Sequence, residues 1–165
     1  MTQPAIWVID TSSIAEVRRS ITNDKKPTVF ARMSMLVEQG RLVFAKQVVD
    51  ELERTADPDS PDAQYKWAKQ SEGTACKQAV SLEEVKSVLA TVPGVLDPDK
   101  DVGVEEADPY LLALALRLRT EGADARIVTE EKNDMPRKMS LRTAAGLLGI
   151  PAVPLLAFLR FEKIY

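Results

Sequence analysis

The sequence predicts an α/β protein built on a mostly parallel sheet. Three observations carry that prediction. Strand-like and helix-like segments alternate along the chain. The run Ile6-Trp7-Val8-Ile9 sets four large apolar residues in succession, the pattern of a strand buried on both faces. Asp10 closes that run and puts a carboxylate at the strand's carboxyl end, where open α/β sheets bind ligands.

The elements follow in order. After the first strand, Ser12 to about Arg19 reads as a helix, and residues 20–27 as a polar loop ending at Pro27. Thr28 to Gln39 carries Val29, Phe30, Met33, Leu36 and Val37 at helical spacing, with Gly40 as its stop. Leu42 to Ala45 reads as a short second strand and Gln47 to Arg54 as a helix facing the core with Val48, Val49 and Leu52. The prolines and aspartates of residues 55–63 make a surface loop. Helical regions are expected from about Ala63 to Ala79 and from Ser81 to Leu89, where Ser81 and Glu84 fit a capping box.

The irregular stretch 91–107, with turn signals at Pro93-Gly94 and Asp97-Pro98, is long enough to be a functional loop or lid. Ala107-Asp108-Pro109 opens a helix, with Asp108 expected at the cap and Pro109 at the first helical position. Residues 110–118 are apolar nearly all round, which predicts burial, and Gly122 ends the helix. Arg126 to Thr129 is a strand followed by Glu130-Glu131. Ser140 to Leu148 is a helix closed by Gly149, Ile150 to Val153 a last strand, and Leu155 to Phe161 a last helix. No repeat and no linker divides the 165 residues, so one domain, 1–165, is expected.

Composition narrows the chemistry. The chain has no histidine, which excludes Ser-His-Asp and Cys-His nucleophilic machinery and every His-ligated metal site. Its one cysteine excludes an internal disulfide and a cysteine-based zinc site. A metal here must be a hard, oxygen-ligated cation, Mg²⁺ or Mn²⁺ before zinc or copper. The net charge of −3 does not advertise a nucleic-acid binder, though a local basic surface is compatible with it. No apolar run approaches the roughly 20 residues of a membrane span. The N-terminus lacks the pattern of a signal peptide, so the cytoplasm is expected.

Acids distant in sequence can converge in such a fold, because strand ends and the N-termini of the following helices share one edge of the sheet. Asp10 follows the first strand, Asp108 opens the buried helix, and Glu130 and Glu131 follow the strand at Arg126–Thr129. In the helix 47–54, Glu51 and Glu53 flank the apolar face about equally, and periodicity does not choose between them. Each acid also has a plainer role. Asp10 and Asp108 suit helix caps, and Glu51 and the Glu130-Glu131 pair suit solvated surface. Capping leaves carboxylate lone pairs free, so it does not exclude ligation.

The pieces Val8-Ile9-Asp10-Thr11-Ser12, Val48-Val49-Asp50-Glu51-Leu52, Ala107-Asp108-Pro109-Tyr110-Leu111-Leu112-Ala113 and Ile127-Val128-Thr129-Glu130-Glu131 resemble those of PIN-domain proteins over nearly the whole chain. The tail Leu141 to Val153 resembles a less characterised, longer PIN-like branch. The resemblance implies a three-layer α/β/α sandwich with a central, mostly parallel sheet. It implies a Mg²⁺- or Mn²⁺-dependent endoribonuclease, as in the toxins of type II toxin–antitoxin pairs. Asp10, Glu51, Asp108 and Glu131 match the catalytic and metal-binding acids, and Ser12 the hydroxyl two positions after the first acid. An RNA substrate, a cognate antitoxin protein and a homodimer are implied as partners.

Two departures stand out. The usual Asp-x-Asp-Phe ending is replaced by Glu131-Lys132-Asn133-Asp134, which makes Asp134 an alternative fourth acid. Segments 55–80 and 91–107 exceed those of a minimal toxin. Positive charge for RNA is offered by Arg18 and Arg19, Lys66 and Lys69, and Arg137 and Lys138, the last two taken as substrate-positioning. Tyr65 and Trp67 are candidates for base stacking, with core packing the plainer role for Trp67. Cys76 reads as a small packing residue. Two readings of other classes compete: a PIN-like binding module with little or no catalysis, and an aspartyl-phosphate domain built on Asp10.

Overall fold

The computed structural model describes residues 3–57, 59, 62–100 and 105–165. Four parallel strands, β1 (Ile6–Ile9), β2 (Leu42–Val43), β3 (Ala125–Val128) and β4 (Ala152–Val153), form one sheet in the order β2-β1-β3-β4. Among the described residues, eight α-helices flank it: α1 (Thr11–Ser20), α2 (Lys26–Glu38), α3 (Lys46–Thr55), α4 (Ala63–Ala75), α5 (Leu82–Thr91), α6 (Ala107–Thr120), α7 (Leu141–Leu147) and α8 (Leu155–Phe161). The result is the three-layer α/β/α sandwich. Pairing is in register from Ile6 opposite Ala125 to Ile9 opposite Val128, so β1 and β3 end side by side. The chain leaves β1 toward β2 and leaves β3 toward β4, in opposite directions across the sheet. Crossovers between parallel strands are right-handed as a rule, so this reversal places the connecting helices on opposite faces and a crevice at the carboxyl ends of β1 and β3.

Burial explains the strands. Trp7, Val8 and Ile9 are buried, and so are Ala125, Ile127 and Val128. Trp7 packs under α8, its ring 5.1 Å from Phe158 and 5.4 Å from Phe161. Its indole N–H donates to Glu162 at 2.9 Å, which satisfies the polar end of a buried aromatic. On α6, Leu111, Leu112, Leu114 and Leu118 are buried, as the apolar character of residues 110–118 requires.

Several boundaries differ from the sequence expectation, each for a local reason. Helix α2 begins at Lys26 because Pro27 is tolerated in a first turn, where its missing N–H costs nothing. Strand β2 stops at Val43, since the Phe44 amide turns to the Ala75 carbonyl at 3.3 Å. Helix α4 ends at that same Ala75 rather than near Ala79. Helix α6 begins at Ala107, so Asp108 is not its cap and Pro109 is not its first residue. The Ala107 amide already has an acceptor in the Glu51 carboxylate, 3.3 Å away, and Pro109 again sits where no N–H is needed. Residues 101–104 of the expected lid lie outside the described residues, as do Pro58, Ser60 and Pro61 of the loop at 55–63. Among the described residues, no helix is long and apolar enough to cross a membrane.

The capping box at α5 is present. Ser81 Oγ accepts from the Glu84 amide at 3.2 Å, and Glu84 accepts from the Ser81 amide at 3.0 Å. Glu84 also takes a bidentate bond from Arg117 of α6, which pulls its carboxyl down to about 2. Ser81→Ala should therefore cost about 1 kcal/mol and leave the Glu84–Arg117 pair intact. A drop in melting temperature of about 2–4 °C is expected by calorimetry.

Candidate functional site

Asp10 is placed by the end of β1 and is itself the N-cap of α1. Its Oδ1 accepts from the Ser13 amide at 2.8 Å, and its Oδ2 from the Thr129 hydroxyl at 2.5 Å. The Ser12 hydroxyl lies 2.8 Å from both oxygens. Each of these hydroxyls is in turn held by an amide just past β3. Glu130 N–H donates to Ser12 Oγ at 3.1 Å, and Glu131 N–H to Thr129 Oγ1 at 3.0 Å. Because both hydroxyl oxygens already accept, their protons are left to point at Asp10. The two strand ends are thus stitched together through one carboxylate. Capping and convergence coexist in Asp10.

Asp108, in the first turn of α6, and Glu131, after β3, complete a cluster with Asp10. One carboxylate oxygen from each lies within 4.8 Å of the others. Lys138 closes the group, its Nζ 3.0 Å from Asp108 Oδ2 and 3.1 Å from Glu131 Oε1. Glu51, Thr11, Ser12, Lys100 and Glu106 line the same cleft, whose volume is about 290 Å³.

Electrostatics follow from burial. Asp10 is pushed up to about 7 by desolvation, against the opposing hydrogen bonds from Thr129, Ser13 and Ser12. Asp108 is raised well above the usual carboxylate range, first by burial and then by the neighbouring Glu131 charge, with Lys138 opposing. Lys138 moves up despite its own desolvation, because Asp108 and Glu131 favour the ammonium. Three carboxylates with no nitrogen or sulfur donor suit a hard divalent cation, which would relieve the mutual repulsion that burial aggravates. The donor set therefore fits Mg²⁺ or Mn²⁺.

The other sequence candidates fall into place around this cluster. Glu51, and not Glu53, faces the cleft, but it stands apart from the three clustered acids. Its oxygens accept from the Thr11 hydroxyl and the Ala107 amide, and Lys100 Nζ lies 3.7 Å away. It ties the starts of α1 and α6 together and so positions Asp108. Glu130 turns away to accept from the Leu155 amide at 2.7 Å. Asp134 is outside the cluster as well, accepting from the Ser140 amide at 2.9 Å. Arg137 is exposed and pairs with Asp99 at 2.8 Å, so it is not among the residues lining the cleft. Trp67 is core: it stacks on Phe30 with ring centres 5.7 Å apart and donates to Ser34 Oγ at 2.9 Å. Cys76 is half-buried, and burial pushes its thiol up to about 12, which keeps it protonated and inert. Thr129 and Thr11 were not legible as site residues, because a threonine at a strand or helix end signals nothing on its own.

The model of one family, described as a domain of unknown function, DUF4411, matches residues 7–165. The chain belongs to the DUF4411 family. No curated protein and no solved structure matches it. The DUF4411 match takes in every residue of the cluster, from Asp10 to Lys138.

Proposed function

We propose that this DUF4411 chain is a Mg²⁺- or Mn²⁺-dependent endoribonuclease of PIN-like type. The observation that carries this reading is the convergence of Asp10, Asp108 and Glu131 from three separate segments at the crevice between β1 and β3. A divalent cation held there supplies Lewis-acid polarisation of a phosphoryl oxygen and a nucleophilic water at neutral pH. Asp10 is held in one orientation by Ser12, Ser13 and Thr129, so it offers a fixed ligand atom. Glu51 fixes Asp108 by anchoring the first amide of α6. Lys100 and Lys138 put positive charge beside the acids, where a phosphate backbone would pass. On this reading the chain is the toxin of a type II toxin–antitoxin pair, an antitoxin protein blocks the cleft, and the toxin is a cytoplasmic homodimer. The resemblance alone supports those partners.

A second reading is favoured by one observation. Lys138 already neutralises part of the cluster, as it would in a binding module without catalysis. Cleavage of single-stranded RNA with Mn²⁺, Mg²⁺ and excess chelator separates the two. Asp108→Asn should lower the metal-dependent rate by about 100-fold or more, since loss of several kcal/mol of transition-state stabilisation costs a factor of ten per ~1.4 kcal/mol. Equal rates in wild type and Asp108→Asn, or no metal-dependent rate in either, would leave the binding module standing.

A further inference from the structure

We propose that Lys138 is a resident cation of the acidic cluster, so that the site takes one divalent ion and not two. The inference rests on the metal-dependent reading and specifies how that site is charged. Lys138 does not drift over the cleft. Its loop is fastened by the Met135 amide on the Lys138 carbonyl at 2.8 Å, the Met139 amide on Gly94 at 2.7 Å and the Ser140 amide on Asp134 at 2.9 Å. The side chain is 20% exposed, and its ammonium bonds one oxygen of Asp108 and one of Glu131.

Charge leads to the same stoichiometry. The three clustered carboxylates set against one ammonium leave a residual charge of −2 when all are ionised, which a single divalent ion cancels. The two other acids lining the cleft stand outside this count: Lys100 balances Glu51 from 3.7 Å, and Glu106 is turned to the Asp97 amide, which donates to its oxygens at 2.9 and 3.2 Å. Lone pairs set a second limit. A carboxylate has about four acceptor positions. On Asp10 the Ser13 amide and the Thr129 hydroxyl take two, and Ser12, with one proton for the two oxygens it faces, takes a third. One position remains, enough to bind one ion and too few to bridge a pair. Two-metal sites hold their ions roughly 3.5–4 Å apart, so Asp10, with one free position, serves one ion of such a pair and not both. The ammonium, in contact with both Asp108 and Glu131, fills the room a second ion would use. Two of its three N–H donors are taken by the acids, and the third, without a partner among the described residues, would suit a phosphate oxygen.

Mn²⁺ titration of the full chain by calorimetry and electron paramagnetic resonance tests this. Wild type should bind one Mn²⁺. Lys138→Met, which keeps the stem length and removes the charge, should take up a second ion or hold the first about tenfold or more tightly. Lys138→Arg, which keeps the charge, should still bind one. Two ions in wild type overturn the inference alone and need no variant. Unchanged or weaker binding in Lys138→Met, shown to be folded by its circular dichroism melt, also overturns it. No ion in wild type instead overturns the metal-dependent reading itself.

Discussion

Asp10→Asn is expected to make the metal-free protein more stable at pH 8 while removing its response to Mn²⁺. The reasoning starts from burial. Asp10 is 2% exposed, and desolvation raises its carboxyl from 3.8 to about 7. A group whose folded pKa lies above its unfolded value contributes stability that is fully present below the unfolded value. That contribution is lost as pH rises through the folded one. For Asp10 the window runs from about 4 to about 7. Raising the carboxyl from 3.8 to about 7 corresponds to about 4 kcal/mol lost on the alkaline side. Asp108 is raised in the same direction and adds to the loss.

In chelator, wild type should therefore melt lower at pH 8 than at pH 5. Asparagine caps a helix as well as aspartate does, so the bond from the Ser13 amide survives the substitution and the buried charge does not. The asparagine Nδ2 faces the Thr129 hydroxyl, and the bond lost there costs about 1–3 kcal/mol, less than the buried charge it removes. The variant should gain several degrees at pH 8, at roughly 2–4 °C per kcal/mol for a chain of this size, and less than half as much at pH 5, which lies low in the window. Saturating Mn²⁺ should restore the wild-type melting temperature and leave Asp10→Asn unmoved. A variant less stable than wild type at pH 8 would mean that Asp10 serves the fold and not a ligand.

Much of this arrangement was legible in the sequence, and the reasons for the rest are physical. Asp10 is readable because four apolar residues fix the strand and its end. Asp108 is readable because the helix behind it is apolar nearly all round. What cannot be read locally is which of two neighbours turns inward. Glu130 and Glu131 follow the same strand, yet one reaches the Leu155 amide and the other the acid cluster. Glu51 and Glu53 are separated only by contacts with α1 and α6, 40 and 56 residues away. Lys138 and Arg137 are adjacent basic residues, one half-buried on two carboxylates and the other on exposed Asp99. Helix starts slip for a similar reason. The Ala107 amide finds its acceptor in Glu51, so the helix opens one residue before the residue that the local capping pattern selects.

Thr129 carries the second large effect, because one hydroxyl serves two of the three acids. It donates to Asp10 at 2.5 Å and accepts from the Glu131 amide at 3.0 Å, and the residue is 4% exposed. Valine matches its shape and keeps the β-branched preference of a strand end, so Thr129→Val changes the hydrogen bonds and little else. The Glu131 amide then loses its acceptor, and because that bond is only part-buried the cost falls at the low end of the about 1–3 kcal/mol of an unsatisfied buried group. Asp10 loses a donor that favours its ionised form, so its proton is held more tightly and metal must compete harder for it. Residues that orient a ligand from behind typically change metal affinity by about 10–100-fold, and a loss in that range is expected here. Denaturant melts and Mn²⁺ titrations between pH 6 and pH 8 check both halves. Affinity in Thr129→Val should fall most at the acid end, and Thr129→Ser should recover most of it, because serine restores the hydroxyl without the methyl. If Thr129→Val binds Mn²⁺ as wild type does across that range, the hydroxyl contributes packing alone, and Asp10 must be oriented by Ser12 and the Ser13 amide.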